Sequence, residues 1–458
     1  MKEVYLIKYS VKGIKTLDEL VTLSFYKKII TKDMDTQNYN IKGIYGMNGS
    51  GKSGIVTSVE ILKKLLMDSG YLNNPLAQKN LDAIINKKNE ELYIECDYII
   101  KIRKKLLYFR YNISLEKDTS GKYCISHESL SVRNAISKSN EMSTVFDVNQ
   151  GEINYIYGNE EEDELSGVLM KKTMNLLPMA SICSLFYEKI LLSILEKREI
   201  KESFLFSNLS ALFIFGSKLF VFLDEADNHR GYIARSILDD FTDDEKYEEK
   251  EANLAVNLVQ LGMDSFNVIE ATGNIISKRN YLKFERNVEK LYEFLHIFKT
   301  DLCGIEIDKK ENHELWNCDL VMNYGEYKIH AEYESTGIKK LIRLYAYLKK
   351  MVQGGIVFID EFDSNLHDVY LCALLEYLME YGEGQLCFTT HNVGPMDVLK
   401  HHKKSIDFLS EDHMIYPWVK SGNYSPSNLY RNGMIEGSPF NVGSMDFIGV
   451  FGVDGEDE

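Results

Sequence analysis

The eight residues Gly46-Met47-Asn48-Gly49-Ser50-Gly51-Lys52-Ser53 constrain this chain more than any other stretch. They fit the phosphate-loop pattern G-x-x-x-x-G-K-[ST], and their surroundings fit as well. Ile41-Lys42-Gly43-Ile44-Tyr45 reads as a short strand, and Ile55, Val59, Leu62 and Leu66 then fall at helical spacing. In a strand–loop–helix of this kind the glycines let backbone N–H groups turn inward around a polyphosphate. The new helix points its unpaired N–H groups and positive dipole end at the same anion. Gly46, Asn48, Gly49, Ser50, Gly51, Lys52 and Ser53 are therefore the candidate nucleotide-binding residues. Lys52 is expected to reach the outer phosphates, and the Ser53 hydroxyl to supply one Mg²⁺ position. The expected ligand is ATP or GTP.

The rest of the composition sets bounds on that reading. The chain has 458 residues, room for a large core and two or three domains. A hydrophobic content of 45% with 27% charged residues is that of a soluble globular protein. A net charge of −16 excludes a nucleic-acid coat, and any local basic groove would have to work against the global field. Cys96, Cys124, Cys183, Cys303, Cys318, Cys372 and Cys387 are scattered, odd in number and without a C-x-x-C. That suits free thiols in a reducing cytoplasm. No signal-peptide pattern opens the chain. The apolar stretch from Phe204 to Leu223 is long enough for a membrane span, but Ser207, Asn208, Ser210, Gly216, Ser217 and Lys218 interrupt it. A buried helix-turn-strand is expected there, and no membrane contact.

Along the chain, residues 4–7 and 21–25 read as β segments. Residues 92–100, 106–115 and 123–125 extend them into a β-rich lobe beside the phosphate loop. The basic cluster Lys101, Arg103, Lys104, Lys105 and Arg110 falls in that lobe, more simply a solvated strand edge than a phosphate contact. Acidic runs at Glu160–Glu164 and from Asp239 to Glu251 read as exposed segments. From about 166 to 300 the pattern is mainly helical, with Phe284, Val288, Leu291, Leu295 and Phe298 along one helix face. Short strands return after Cys303. The expected architecture is α/β, with core segments 1–165 and 301–458 flanking a helical insertion at 166–300.

A second carboxylate-bearing strand completes the site. Gly354-Gly355-Ile356-Val357-Phe358-Ile359 is a buried-strand run that ends in Asp360 and Glu361. Beside a phosphate loop, Asp360 would hold Mg²⁺, and Glu361 would polarise the attacking water. Leu219-Phe220-Val221-Phe222-Leu223-Asp224-Glu225 looks the same, but only the later copy is framed by two further features. Ser335-Thr336-Gly337 precedes a helical pattern 25 residues before Asp360, as a helix cap or an anion site. A strand-like run from Leu386 leads to His391, 31 residues after Asp360, where it could contact a γ-phosphate.

Together these residues resemble the ATP-binding-cassette (ABC) class in its non-transporter branch. That branch holds the SMC-like chromosome-maintenance and repair ATPases and the overcoming-lysogenisation-defect-like ATPases. The resemblance implies a P-loop NTPase of ABC type that uses ATP and Mg²⁺. It makes Gly46–Ser53 the Walker A motif and Ser335, Thr336 and Gly337 the signature. Asp360 and Glu361 become Walker B, Ser364-Asn365-Leu366-His367 the D-loop, and His391 the switch histidine. Gln78 is the candidate for the Q-loop glutamine. The Glu-Ser-Thr-Gly signature, the Asp-Glu-Phe-Asp-Ser-Asn-Leu-His run and Gly437-Ser438-Pro439-Phe440 are similar to ATPase subunits of bacterial anti-phage systems of the PARIS, Septu and retron-associated kind.

The resemblance implies a homodimer with two ATPs sandwiched head to tail, and larger assemblies that stack such dimers. Two functions follow from it. One is a defence ATPase that governs a separate effector protein, since the 67 residues after His391 are too few for the nuclease domain of longer relatives. The other is a DNA-clamping repair ATPase, against which the acidic balance leans. A transporter motor is disfavoured by the 135 residues of the helical stretch.

Overall fold

The computed structural model describes residues 4–26, 28–31, 34–102, 105–158, 178–195, 203–223, 268–419 and 424–438. Its centre is a six-stranded sheet. The strand order is Ile415–Pro417, Ile406–Leu409, Ile41–Tyr45, Gln385–Thr389, Ile356–Ile359 and Leu219–Phe222. Ile415–Pro417 is antiparallel, and the other five run parallel. Every residue of these five parallel strands is buried. That is why they read as unbroken apolar runs rather than as an alternation. Parallel strands end on one edge, so the chain segments after Tyr45, Ile359 and Thr389 emerge together.

The strand residues alternate between two cores. Ile356 and Phe358 face a core shared with the phosphate-loop helix Lys52–Met67, whereas Val357 and Ile359 face the opposite one. On the first side lies a seven-stranded antiparallel sheet. Its order is Val21–Ser24, Val4–Lys12, Glu91–Ile102, Lys105–Lys117, Tyr123–Asn134, Ser143–Asn149 and Glu152–Ile156. This is the β-rich lobe, with its fifth strand running on to Asn134 rather than ending near 125. It is fastened to the central sheet at a bulge between Leu6 and Lys8. There the Leu6 N–H donates to Gln385 Oε1 at 2.7 Å, and Gln385 Nε2 donates to the Leu6 carbonyl at 3.0 Å. The Gln385 amide thus stands in for the missing ladder partner. On the second side pack the helices Thr336–Val352, Asp368–Tyr381, Gly394–Leu399 and Pro426–Arg431.

A third core joins the four-stranded sheet Asn274–Ser277, Leu315–Asn323, Gly304–Asn312 and Lys328–His330 to the helix Tyr281–Phe298. Phe284, Val288, Leu291 and Leu295 form the buried face of that helix, as their spacing requires.

Within 166–300 the described helices pack on two cores. Helices Ile182–Leu195 and Phe204–Ser217 belong to the core of the phosphate-loop helix, and Leu219–Phe222 is the edge strand of the central sheet. Asn274–Ser277 and Tyr281–Phe298 build the third core instead. Apolar periodicity reveals that a helix is buried but not which body it packs on. The helix-turn-strand reading of Phe204 to Leu223 agrees with the structure. No described helix is long and apolar enough to cross a membrane. The acidic runs at 160–164 and 239–251, and Asp224 and Glu225 of the look-alike strand, lie outside the described residues.

All seven cysteines are unpaired. Arg110 is committed within the β lobe, its Nε 2.7 Å and its Nη2 2.9 Å from the buried Asp97 carboxylate. That fork leaves it engaged by protein rather than presented to a phosphate. Arg103 and Lys104 lie outside the described residues.

Candidate nucleotide site

A cavity of about 680 Å³ opens at the edge where the parallel strands end. Asn48, Gly49, Gly51, Lys52, Ser53 and Gly54 line one wall, and Glu361, Thr389 and His391 another. Lys15 and Thr16, from the turn between the first two β-lobe strands, complete the lining.

The loop's shape is set by close approaches that only glycine allows. Gly51 has φ +104°, and a Cβ there would lie 2.3 Å from Leu17 Cδ2. A Cβ on Gly46 would lie 2.5 Å from the Leu409 carbonyl oxygen. Thr16 Oγ1 donates to the Gly49 carbonyl at 3.1 Å, which ties the β-lobe turn to the loop tip. Lys15 sits in that turn at φ +49°. Such a conformation costs a non-glycine residue about 1–3 kcal/mol and persists where neighbours over-determine it. Here the Lys15 N–H donates to the Ile84 carbonyl at 2.7 Å, and Asn86 Nδ2 donates to the Lys15 carbonyl at 2.8 Å.

Lys52 folds back over the loop, its Nζ donating to the Gly46 and Met47 carbonyls at 2.8 Å each. Burial lowers its pKa to about 8, against the opposing pull of Asp360, Glu361 and Asp363. Anionic phosphate beside it would restore full protonation. The buried Ser50 Oγ has no hydrogen-bond partner among the described residues.

Across the cavity a relay of short bonds sets the two carboxylates. Thr389 Oγ1 donates to Asp360 Oδ1 at 2.5 Å and accepts from the Glu361 N–H at 2.8 Å. One hydroxyl thereby fixes the side chain of the first acid and the backbone of the second. Glu361 itself takes φ +46°, an uncommon value for a non-glycine residue. Lys340, from the helix Thr336–Val352, donates to the Glu361 carbonyl and to Ser364 Oγ. His391 is exposed two residues beyond its strand. Partial desolvation by the cavity walls and then the nearby Lys52 lower its pKa from the usual histidine value, with Asp363 and Asp360 pulling the other way.

The donor set fits Mg²⁺. The Ser53 hydroxyl and the Asp360 carboxylate are hard oxygens, and among the described residues no group of three or more His, Cys, Asp or Glu forms a closed metal cage. Mg²⁺ suits a site of one or two protein oxygens, with substrate phosphates and water filling the rest.

Not every candidate reaches this cavity. Ser335 is an exposed N-cap whose Oγ accepts from the Ile338 N–H at 3.3 Å. Thr336 Oγ1 donates to Asn365 Oδ1 at 3.2 Å, and a Cβ on Gly337 would lie 2.5 Å from the Asn365 carbonyl oxygen. None of these three lines the phosphate cavity of its own chain. Gln78 is not at the site either. Its Nε2 donates to the Leu72 and Tyr123 carbonyls at 2.7 and 2.9 Å, and its Oε1 accepts from the Tyr123 N–H at 2.8 Å. Both ends of the amide are spent fastening a helix to the β lobe, so the Q-loop assignment fails. His367 caps the helix Asp368–Tyr381, its Nδ1 accepting from the Val369 N–H at 3.3 Å.

Five residues of the site were not found by reading the sequence: Lys15, Thr16, Gly54, Thr389 and Lys340. Thr389 had a local signal, a polar residue at the end of an apolar strand two before His391. Lys340 had a weaker one, a lysine on the buried face of an amphipathic helix. Lys15 and Thr16 had none, because their place depends on how the β lobe docks.

Residues 206–397 match the protein family described as "AAA domain, putative AbiEii toxin, Type IV TA system". The matched span runs from the helix Phe204–Ser217 through Asp360, Glu361 and His391. It supports a P-loop ATPase family and an α/β nucleotide-binding fold. No curated protein matches the chain.

Proposed function

We propose that the chain is an ABC-type ATPase that binds and hydrolyses ATP in a head-to-tail dimer. Its role would be the regulatory subunit of a bacterial anti-phage system with a separate effector. The observation that carries the enzymatic part is the single cavity in which Lys52 and Ser53 face Glu361, Thr389 and His391. A phosphate-gripping wall and an acid-bearing wall across one cavity are what hydrolysis of a phosphoanhydride requires.

In this reading Lys52 leaves its two loop carbonyls for the β- and γ-phosphate oxygens. Ser53 and Asp360 would hold Mg²⁺, which would supply positive charge against the polyphosphate. Glu361 accepts a proton from water as the water oxygen bonds to the γ-phosphorus. The bond from that phosphorus to the bridging oxygen breaks, and ADP leaves with the electron pair. His391 would donate a hydrogen bond to a γ-phosphate oxygen.

Dimerisation is supported by the signature residues standing outside their own chain's cavity at the start of a long helix, with Ser335 and Thr336 exposed. A second copy placed head to tail would bring that helix end to the γ-phosphate. The description of the matched family as a toxin of a toxin–antitoxin system lends support to a defence role. The test is the solution mass of Glu361→Gln protein with and without MgATP, repeated with Ser335→Arg added. The mass should double with MgATP, and the arginine should prevent it. A mass independent of MgATP, or equal doubling with the arginine, would contradict the composite site.

A further inference from the structure

Lys340 is the one feature of the site that polyphosphate binding does not explain. It lies one turn into the helix Thr336–Val352 and is only 6% exposed, rare for a lysine. Its ammonium donates to the Glu361 carbonyl and to Ser364 Oγ, and stands 6.0 Å from the centre of the Phe222 ring. A buried ammonium is stable only where such acceptors are fixed around it. It therefore ties three segments together: the helix that begins at Ser335–Gly337, the peptide after Asp360, and the edge strand of the central sheet.

The peptide it grips is the left-handed Glu361, at φ +46°. The Glu361 N–H is held from the other side by Thr389 Oγ1 at 2.8 Å. Both backbone polar groups of the residue are thus pinned, one by the strand that leads to His391 and one by Lys340. Releasing either would let the residue relax toward ordinary backbone angles and turn its carboxylate away from the cavity. The helix end rides directly on the same loop. Gly337 abuts the Asn365 carbonyl so closely that a Cβ would lie 2.5 Å from it, and Thr336 bonds to Asn365. The helix thus meets that loop at two points, through Lys340 at Glu361 and Ser364 and through Thr336 and Gly337 at Asn365.

We propose that Lys340 is a positioning residue for ATP hydrolysis. It fixes the Glu361 peptide so that the carboxylate addresses the attacking water, and it transmits the placement of the Ser335–Gly337 helix end to that carboxylate. This rests on the ATPase reading above. Lys340 itself does not line the cavity.

The experiment compares wild type, Lys340→Met, Lys340→Arg, Glu361→Gln and the Lys340→Met/Glu361→Gln double variant. It reads kcat, KM and the equilibrium affinity for MgATP, with thermal unfolding as a check of folding. Lys340→Met should lose about tenfold or more in kcat, with KM and affinity within about twofold of wild type. Lys340→Arg, which keeps charge and donors, should recover part of the turnover and carries the test if the methionine variant does not fold. The double variant should be no slower than Glu361→Gln alone, because both changes act through one carboxylate. Wild-type kcat in Lys340→Met, or a parallel loss of affinity and kcat, would overturn the inference while loss of turnover in Glu361→Gln upholds the ATPase reading. Equal turnover in Glu361→Gln and wild type would overturn both.

Discussion

Glu128 shows what a single buried group can do to this protein. It is fully buried, with Oε1 accepting from the Tyr111 hydroxyl and Oε2 from the Ile182 N–H, each at 2.9 Å. Burial raises its pKa from 4.5 to about 7, although both hydrogen bonds pull it down. A carboxyl group raised in this way favours the folded state while protonated. Its contribution is complete below the unfolded value and is lost as pH rises through the folded one. Stability should therefore fall between about pH 4.5 and pH 7 from this group. Glu128→Gln keeps the shape and removes the titration. Denaturant unfolding should find it close to wild type at pH 5 and more stable at pH 8, by on the order of 1–3 kcal/mol. A wild-type advantage that persists at pH 8 would contradict this. At the same scale, Gly46–Ser53, Asp360, Glu361 and His391 were legible because each ends an apolar strand run, where a change of residue type is conspicuous. Lys15 and Thr16 were not, since a turn some thirty residues before the loop meets it only after the β lobe docks.

Helices and strands were legible as elements more than as neighbours. Leu219–Phe222 and Ile356–Ile359 look alike in sequence because both are parallel strands buried on both faces, and they pair directly, Phe222 opposite Ile359. The earlier run is thus a member of the same sheet rather than a stray copy. The helix Phe204–Ser217 was expected to be buried, but its partner could not be read from its nearly uniform apolar surface. The partner is the phosphate-loop helix, reached through Gly216, where a Cβ would lie 3.1 Å from Leu66 Cβ. Gly216→Leu should therefore destabilise the protein by about 1–3 kcal/mol through overpacking. Gly216→Ala should cost less, since only a methyl group must be accommodated. Equal denaturation midpoints for the leucine variant and wild type would show that the two helices do not meet as described.

The whole molecule places its chemistry where three bodies converge on one sheet edge. The β lobe supplies Lys15 and Thr16, the central sheet the phosphate loop and both acids, and the helix Thr336–Val352, packed on both the second and the third core, supplies Lys340. That convergence explains why one span of sequence could not delimit the site. The acidic surface expected from a net charge of −16 is compatible with a nucleotide site because the field in the cavity is set locally, by Lys52 and the loop amides. The activity proposed for this cavity is ATP hydrolysis with Glu361 as the base and Lys52 as the phosphate grip. Its most direct measurement is phosphate release together with nucleotide binding for wild type, Glu361→Gln and Lys52→Ala in MgATP. Wild type should turn over, Glu361→Gln should bind normally but lose about a hundredfold or more in rate, and Lys52→Ala should lose binding itself. Equal phosphate release by Glu361→Gln and wild type would contradict it.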